Sequence, residues 1–177
     1  EGLKLLAQVP PLEKIVKIDL SDNGLTHEGM ETLARSEVFP NLKVLILNNN
    51  YLGDDGVYAM AESPMLANLE TLVMHNNGLT TDSAISLSTS KSITQLRMLD
   101  LNNNDLRAEG VEALAGSSNM KDVETLDLGE NKIGSEGTKA LAQSPHCVGL
   151  KSLRLNNNNI GDQGATALAH STTLTQL

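Results

Sequence analysis

Aromatic side chains are nearly absent: one Phe, two Tyr and no Trp, together 2% of 177 residues. This excludes a core built on large rings and the stacking platforms that hold single-stranded nucleic acid. Cysteine is reduced to Cys147, so no internal disulfide can form and a disulfide scaffold is ruled out. No apolar run approaches the roughly 20 residues of a membrane span, and no charged, apolar, small-residue secretion signal opens the sequence. The chain starts at Glu1 rather than Met, so a processed protein or a cut fragment is expected. Basic residues are in deficit, 13 against 22 acidic, giving a net charge of -9 and a pI near 4.8. Such a field repels phosphate backbones and anionic lipid, so neither nucleic acid nor a membrane is expected as a partner. Apolar residues make up 40%, enough for a buried interior.

What the sequence has is a period of 27 residues with no insertion. The column Leu12, Phe39, Leu66, Ile93, Met120, Cys147, Leu174 is apolar throughout. So are Ile15, Leu42, Leu69, Leu96, Val123, Leu150, Leu177, then Ile18, Leu45, Leu72, Leu99, Leu126, Leu153, then Leu20, Leu47, Met74, Leu101, Leu128, Leu155. An invariant polar column follows: Asn23, Asn50, Asn77, Asn104, Asn131, Asn158. Each unit reads L-x-x-L-x-L-x-x-N-x-L and then a helical pattern. That motif, repeated six times, resembles the leucine-rich repeat family over essentially the whole chain. The helical half, as in Gly161-Asp162-Gln163-Gly164-Ala165-Thr166-Ala167-Leu168-Ala169, resembles the ribonuclease-inhibitor-like subclass and bacterial relatives with a Gly-Ala-x-x-Leu-Ala helix.

The resemblance implies one α/β domain, a right-handed solenoid with a parallel β-sheet on the concave face and helices on the convex face. Its full repeats are 12–38, 39–65, 66–92, 93–119, 120–146 and 147–173, with partial repeats 1–11 and 174–177. Physical chemistry gives the same architecture. Leu45-Ile46-Leu47 has period 2 and reads as a short strand with one face inward. The column His27, Asp54, Thr81, Ala108, Ser135, Asp162 offers mostly N-cap chemistry. The next one places a carboxylate in the first helical turn of five units, where the helix dipole favours it. Ser36, Ser63, Ser90, Ser117, Ser144 and Ser171 are expected to close each helix, with Pro64 and Pro145 stopping it. Strands sit roughly 4.8 Å apart and helices about 10 Å, so the array must bend with its strands inside.

The asparagine column reads as a structural ladder, each side chain bonding backbone groups of the turn after its strand. In the family the exposed strand residues carry partner contacts. Here Val44, Ile46, Val73 and Met98 are expected to form a small exposed apolar patch over units two to four. Asp100 and Asp127 lie side by side with Glu130 near, an arrangement that suits a cationic partner. His75 and Arg154 complete the candidate face. The asparagine rows Asn48 to Asn50, Asn102 to Asn104 and Asn156 to Asn159 offer amides to a sugar or peptide backbone, although Asn also suits the turn itself.

Candidates for catalysis fail on inspection. His27, His75, His146 and His170 lack any partner at metal spacing. Cys147 sits in an apolar column without a placed base, which makes it a core residue. Asp54 and Asp55 begin a cation loop that does not continue, and capping explains them better. Gly29, Gly56, Gly110, Gly137 and Gly164 follow the repeat, lack the Lys-Ser/Thr of a phosphate loop, and read as close packing within each unit. No catalytic residue, metal or cofactor is expected. Unit three departs from the pattern, with Ser83 in the helix Gly column, Ser88 in the small-Ala column and a Ser/Thr-rich run at 86–92.

The reading is a non-enzymatic protein-interaction module gripping an unidentified partner on its concave face. An alternative is the targeting or substrate-recognition fragment of a larger effector, ubiquitin-ligase adaptor or GTPase regulator. A weaker one is peptide or carbohydrate binding by the asparagine rows. Leu3, Leu5 and Leu6 at one end and Leu174 and Leu177 at the other lack a polar cap, so end-to-end self-association or a fragment is expected. One buried Cys fits a reducing interior such as cytoplasm, or a secreted bacterial effector.

Overall fold

A computed structural model describes all residues, 1–177. The chain alternates short strands with helices: α1 (Gly2–Leu6), β1 (Lys17–Asp19), α2 (His27–Ala34), β2 (Val44–Ile46), α3 (Gly53–Ala61), β3 (Thr71–Val73), α4 (Thr81–Thr89), β4 (Met98–Asp100), α5 (Arg107–Ala115), β5 (Thr125–Asp127), α6 (Gly134–Gln143), β6 (Ser152–Arg154) and α7 (Gly161–Ala169). Single 3-10 turns at Pro64–Leu66 and Ser118–Met120 follow α3 and α5. The strands form one parallel sheet in the order β1-β2-β3-β4-β5-β6, and the helices stack in chain order beside it. The array does not close, and it is a leucine-rich-repeat solenoid in architecture.

The middle residue of each strand points inward. Leu45, Leu72, Leu99 and Leu126 are buried, while their flanking neighbours are half-buried or exposed apart from Asp127. Together with the helix positions Met30, Val57, Ala84, Val111 and Leu141 they belong to one continuous core cluster. The register is strict: Leu45 pairs with Leu72, Leu72 with Leu99 and Leu99 with Leu126. One 27-residue step in sequence is therefore one strand step in space, and every column becomes a row.

Helix starts differ from the sequence expectation. The capping residues are Thr26 and Thr80 for α2 and α4, and Leu52, Leu106, Ile133 and Ile160 for α3, α5, α6 and α7. Only Thr80 accepts a bond from its own helix, the Asp82 N–H at 3.3 Å. The reason is the apolar column. Leu52, Leu106 and Ile133 are anchored in the core, and the chain enters the helix directly after them through a left-handed residue at Gly53, Arg107 and Gly134. The column expected to cap thus lies inside the first turn.

The helical glycines pack between units as well as within them. A Cβ on Gly137 would lie 3.1 Å from Ile133 Cβ in its own unit and 3.2 Å from Ala108 Cα in the preceding helix. Ser83 takes that place in α4 because its hydroxyl has a partner, the Asp54 carboxylate of the preceding unit.

Candidate functional site

The asparagine column forms a ladder that joins units. The Asn50 Oδ1 accepts the Asn23 and Leu25 N–H groups at 3.1 and 2.9 Å. Its amide donates to the Leu20 and Leu47 carbonyls at 3.0 and 2.9 Å. Asn104 repeats this with Asn77 N and Leu79 N at 3.1 and 3.0 Å, and with the Met74 and Leu101 carbonyls at 3.2 and 2.9 Å. The Asn131 Oδ1 accepts the Leu106 N–H and its amide donates to the Leu101 and Leu128 carbonyls, while Asn158 accepts the Asn131 and Ile133 N–H groups and donates to the Leu128 carbonyl. Asn77 donates its amide, but its Oδ1 is buried without a partner. Asn23, with no full unit before it, is exposed and donates only to its own Ser21 carbonyl at 2.7 Å. These side chains bond the backbone where each strand turns away, a structural role.

A second ladder was not legible as one. Ser63, Ser90, Ser117, Ser144 and Ser171 donate to the carbonyls of Ala34, Ala61, Ser88, Ala115 and Ala142 at 2.5 to 2.6 Å. Their backbone N–H groups close their own helices as expected, each on the carbonyl three residues back, and Ser36 adds its hydroxyl to Leu33. The hydroxyls of the other five satisfy in addition the end of the helix one unit earlier, since stacking places that orphan carbonyl beside the hydroxyl. The 27-residue recurrence was the available signal. A third row, Lys43, Glu70, Arg97, Glu124, Lys151, alternates in charge, with ion pairs Lys43–Glu70 at 2.7 Å, Arg97–Glu124 at 3.2 Å and Lys151–Glu124 at 2.8 Å.

Asp54 links units two and three. Its Oδ1 accepts the Thr80 and Ser83 N–H groups at 2.9 and 3.2 Å, its Oδ2 accepts the Thr80 hydroxyl at 2.7 Å, and the Ser83 hydroxyl adds a short bond. Partial burial pushes its carboxyl upward, but these four donors outweigh burial and hold it below the ordinary aspartate value. It therefore caps the next helix, not its own.

The open sheet face carries most of the candidate partner residues. In register, one row runs Asp19, Ile46, Val73, Asp100, Asp127, Arg154, and the row beside it Lys17, Val44, Thr71, Met98, Thr125, Ser152. Val44, Ile46, Val73 and Met98 do come together, but they are half-buried where the sequence suggested an exposed patch, because neighbouring strands shield their flanks. Asp127 is a clearer correction. It is 7% exposed, its Oδ1 accepts the Gly129 N–H at 3.0 Å and the Asn102 amide at 3.3 Å, and Arg154 meets its Oδ2 at 3.4 Å. Asp127 is thus an internally neutralised residue, and Arg154 is its counter-ion. Gly129 makes room for this: a Cβ there would fall 2.3 Å from the Asn102 amide nitrogen and 2.7 Å from Asn156 Oδ1. Asp100 is half-buried and accepts only the Asn102 N–H, at 2.9 Å. Burial, with the neighbouring Asp127 charge adding to it, outweighs the Asn102 N–H and the lowering influence of His75 and Arg154 and pushes its carboxyl above the ordinary value. His75 lies just past β3, its N–H bonded to Asn48 Oδ1 at 3.1 Å. Glu130 is exposed in the turn after β5, in the left-handed conformation, and stands apart from the apolar group.

At the turns, Asp22, Asn49, Asn76, Asn103, Glu130 and Asn157 all adopt φ between 52° and 58°, the region that Asn and Asp tolerate. Asn76 donates to Asn49 at 2.9 Å and Asn49 to Asp22 at 3.3 Å, along an open cleft of about 660 Å³ that Tyr51 also lines. Cys147 is fully buried, and burial pushes its thiol up, away from the nucleophilic thiolate. No three His, Cys, Asp or Glu side chains converge to hold a metal ion, and no helix is long and apolar enough to cross a membrane.

A parallel sheet whose every strand is one repeat, bound by polar ladders from unit to unit, defines a repeat solenoid. The family model described as Leucine Rich repeat matches residues 13–34, 40–61, 93–115, 119–142 and 146–169, more than half of the chain. The protein belongs to the leucine-rich repeat family. The model passes over the third unit, where Ser83 and Ser88 depart from the columns. Among solved structures, the actin-binding site 2 of leiomodin-1 aligns at 15% identity over 96% of this chain and 86% of that one, with a TM-score of 0.49. An internalin from Listeria monocytogenes aligns at 16% identity over 94% of this chain and 61% of that one, with a TM-score of 0.39. No curated protein matches the sequence.

Proposed function

We propose that the protein is a non-catalytic recognition module that grips a protein partner along the concave face of units two to five. The observation that carries this is the in-register row Ile46, Val73, Asp100, with Val44 and Met98 beside it: half-buried apolar groups and a carboxylate on an open, paired sheet. Rigid display of such side chains is what partner recognition requires, since little ordering entropy is lost on binding. The partner is to be captured with the wild-type chain and identified. Val73→Arg is expected to abolish that capture, while Asp162→Arg on the exposed side of α7 keeps it. Retention of the same partner by Val73→Arg removes the concave face from consideration. A role within a larger effector, ubiquitin-ligase adaptor or GTPase regulator would use the same face and leave catalysis to other segments.

A second reading is favoured by the hydrogen-bonded row Asp22–Asn49–Asn76 beside the exposed Tyr51. Fixed amides next to a ring suit a sugar or an extended peptide. A glycan array and a peptide array both without hits dispose of it. End-to-end self-association rests on exposed apolar residues near the ends, Leu5, Val16 and Leu177; a sedimentation coefficient that stays monomeric as concentration rises removes it.

A further inference from the structure

We infer that the partner presents a cationic side chain, Arg or Lys, beside an aliphatic one, with Asp100 as the anchor of the cation and Ile46, Val73 and Met98 as the seat of the aliphatic group. The inference rests on the concave-face reading above. The carboxylates around this face differ in how they are compensated. Asp127 has Arg154, Asn102 and the Gly129 N–H. Asp19 has the Ser21 N–H and hydroxyl at 3.0 and 2.7 Å. Glu70 has Lys43, Glu124 has Lys151 and Arg97, and Asp105 has Arg107 and Lys132. Asp100 has a single backbone N–H and no ion pair, although it is more enclosed than Asp19.

Its surroundings explain the enclosure. Val73 is its register partner on one side and Asp127 on the other, and Met98 lies two residues back on the same face of β4. A carboxylate pressed between apolar groups and a second carboxylate costs stability, because lost hydration is not replaced. The raised proton affinity of Asp100 reflects that cost. An incoming guanidinium or ammonium restores what the fold withholds. Other partner chemistries fit less well: an anionic group meets the unpaired Asp100 carboxylate, and a wholly apolar one buries that carboxylate without a counter-charge. Ile46, one strand beyond Val73, continues the apolar row away from the charge. The aliphatic and cationic groups of the ligand are therefore neighbours on one segment.

The test is a random-peptide display selection on the folded wild-type chain, counter-selected on Val73→Gln. Enriched peptides are expected to carry Arg or Lys adjacent to Leu, Ile, Val or Met. Their affinity should fall about tenfold or more in Asp100→Asn, which keeps the acceptor for Asn102 but removes the charge. Asp100→Asn should melt at the wild-type temperature or above it, because the uncompensated charge is gone. Peptides that lose binding to Val73→Gln but bind Asp100→Asn undiminished overturn the cation anchor and leave the concave face intact. A selection in which no enriched peptide survives the counter-selection on Val73→Gln overturns the concave-face reading itself. An Asp100→Asn variant that melts well below wild type, or a selection without basic residues, also overturns the inference.

Discussion

At the residue scale, the same amino acid in the same column does unequal work. Asn104 accepts two backbone N–H groups and donates to carbonyls of two units, whereas Asn23 donates one exposed bond to its own turn. Asn104→Ala is therefore expected to lower unfolding free energy by about 1–3 kcal/mol, with Asn23→Ala well below that. Urea midpoints of the two variants check this, and equal midpoints would remove the ladder argument. Asp54 makes a pH-dependent contribution. Its folded value lies below the ordinary 3.8, so its stabilisation is present above the unfolded value and is lost as pH falls through the folded one. Wild type should exceed Asp54→Asn in urea midpoint near about pH 6, and the gap should shrink below about pH 4. A gap that stays constant across this range refutes the linkage. The asparagine column was legible in the sequence because it never varies. The partners of Asp54 were not, because Thr80 and Ser83 lie 26 and 29 residues away and meet it only when units stack.

At the element scale, neither building block stands alone. Each strand is three residues and each helix from α2 onward is 8 to 10, below the length at which isolated helices persist in water. The packing of neighbours supplies the rest, which is why α4 tolerates its polar composition. Ser86, Ser88 and Thr89 return their hydroxyls to carbonyls of the same helix at 2.8 to 2.9 Å, and Ala84 and Leu87 are buried. Amide exchange in residues 79–90 is thus expected to be no faster than in α5; markedly faster exchange would make unit three a flexible point. Strand positions were readable from period 2. Helix starts were not, because the anchoring of Leu52, Leu106 and Ile133 in the core overrides the local capping preference of the residues after them.

At the scale of the whole molecule, helix packs on the next helix and strand on the next strand, so stability is close to a sum of nearest-neighbour terms. The interior strands have partners on both sides, while β1 and β6 have one each and show exposed, part-buried, exposed patterns. Amide protection is expected to be greatest in β3 and β4 and to decline towards both ends. Uniform protection across the six strands would instead indicate a single all-or-none unit.

The sequence by itself determined the repeat, its length, the inward-facing columns and the asparagine ladder, because a strict period encodes one local structure many times over. It also placed the concave side chains in rows. What only the tertiary structure decided is which of those side chains remain available. Asp100 and Asp127 occupy the same column and look alike in sequence. Stacking puts Arg154 and the Asn102 amide against Asp127 and leaves Asp100 with one backbone donor. Compensation of a charge depends on what lies across the strand, and a column of letters holds no information about that until the units are in contact.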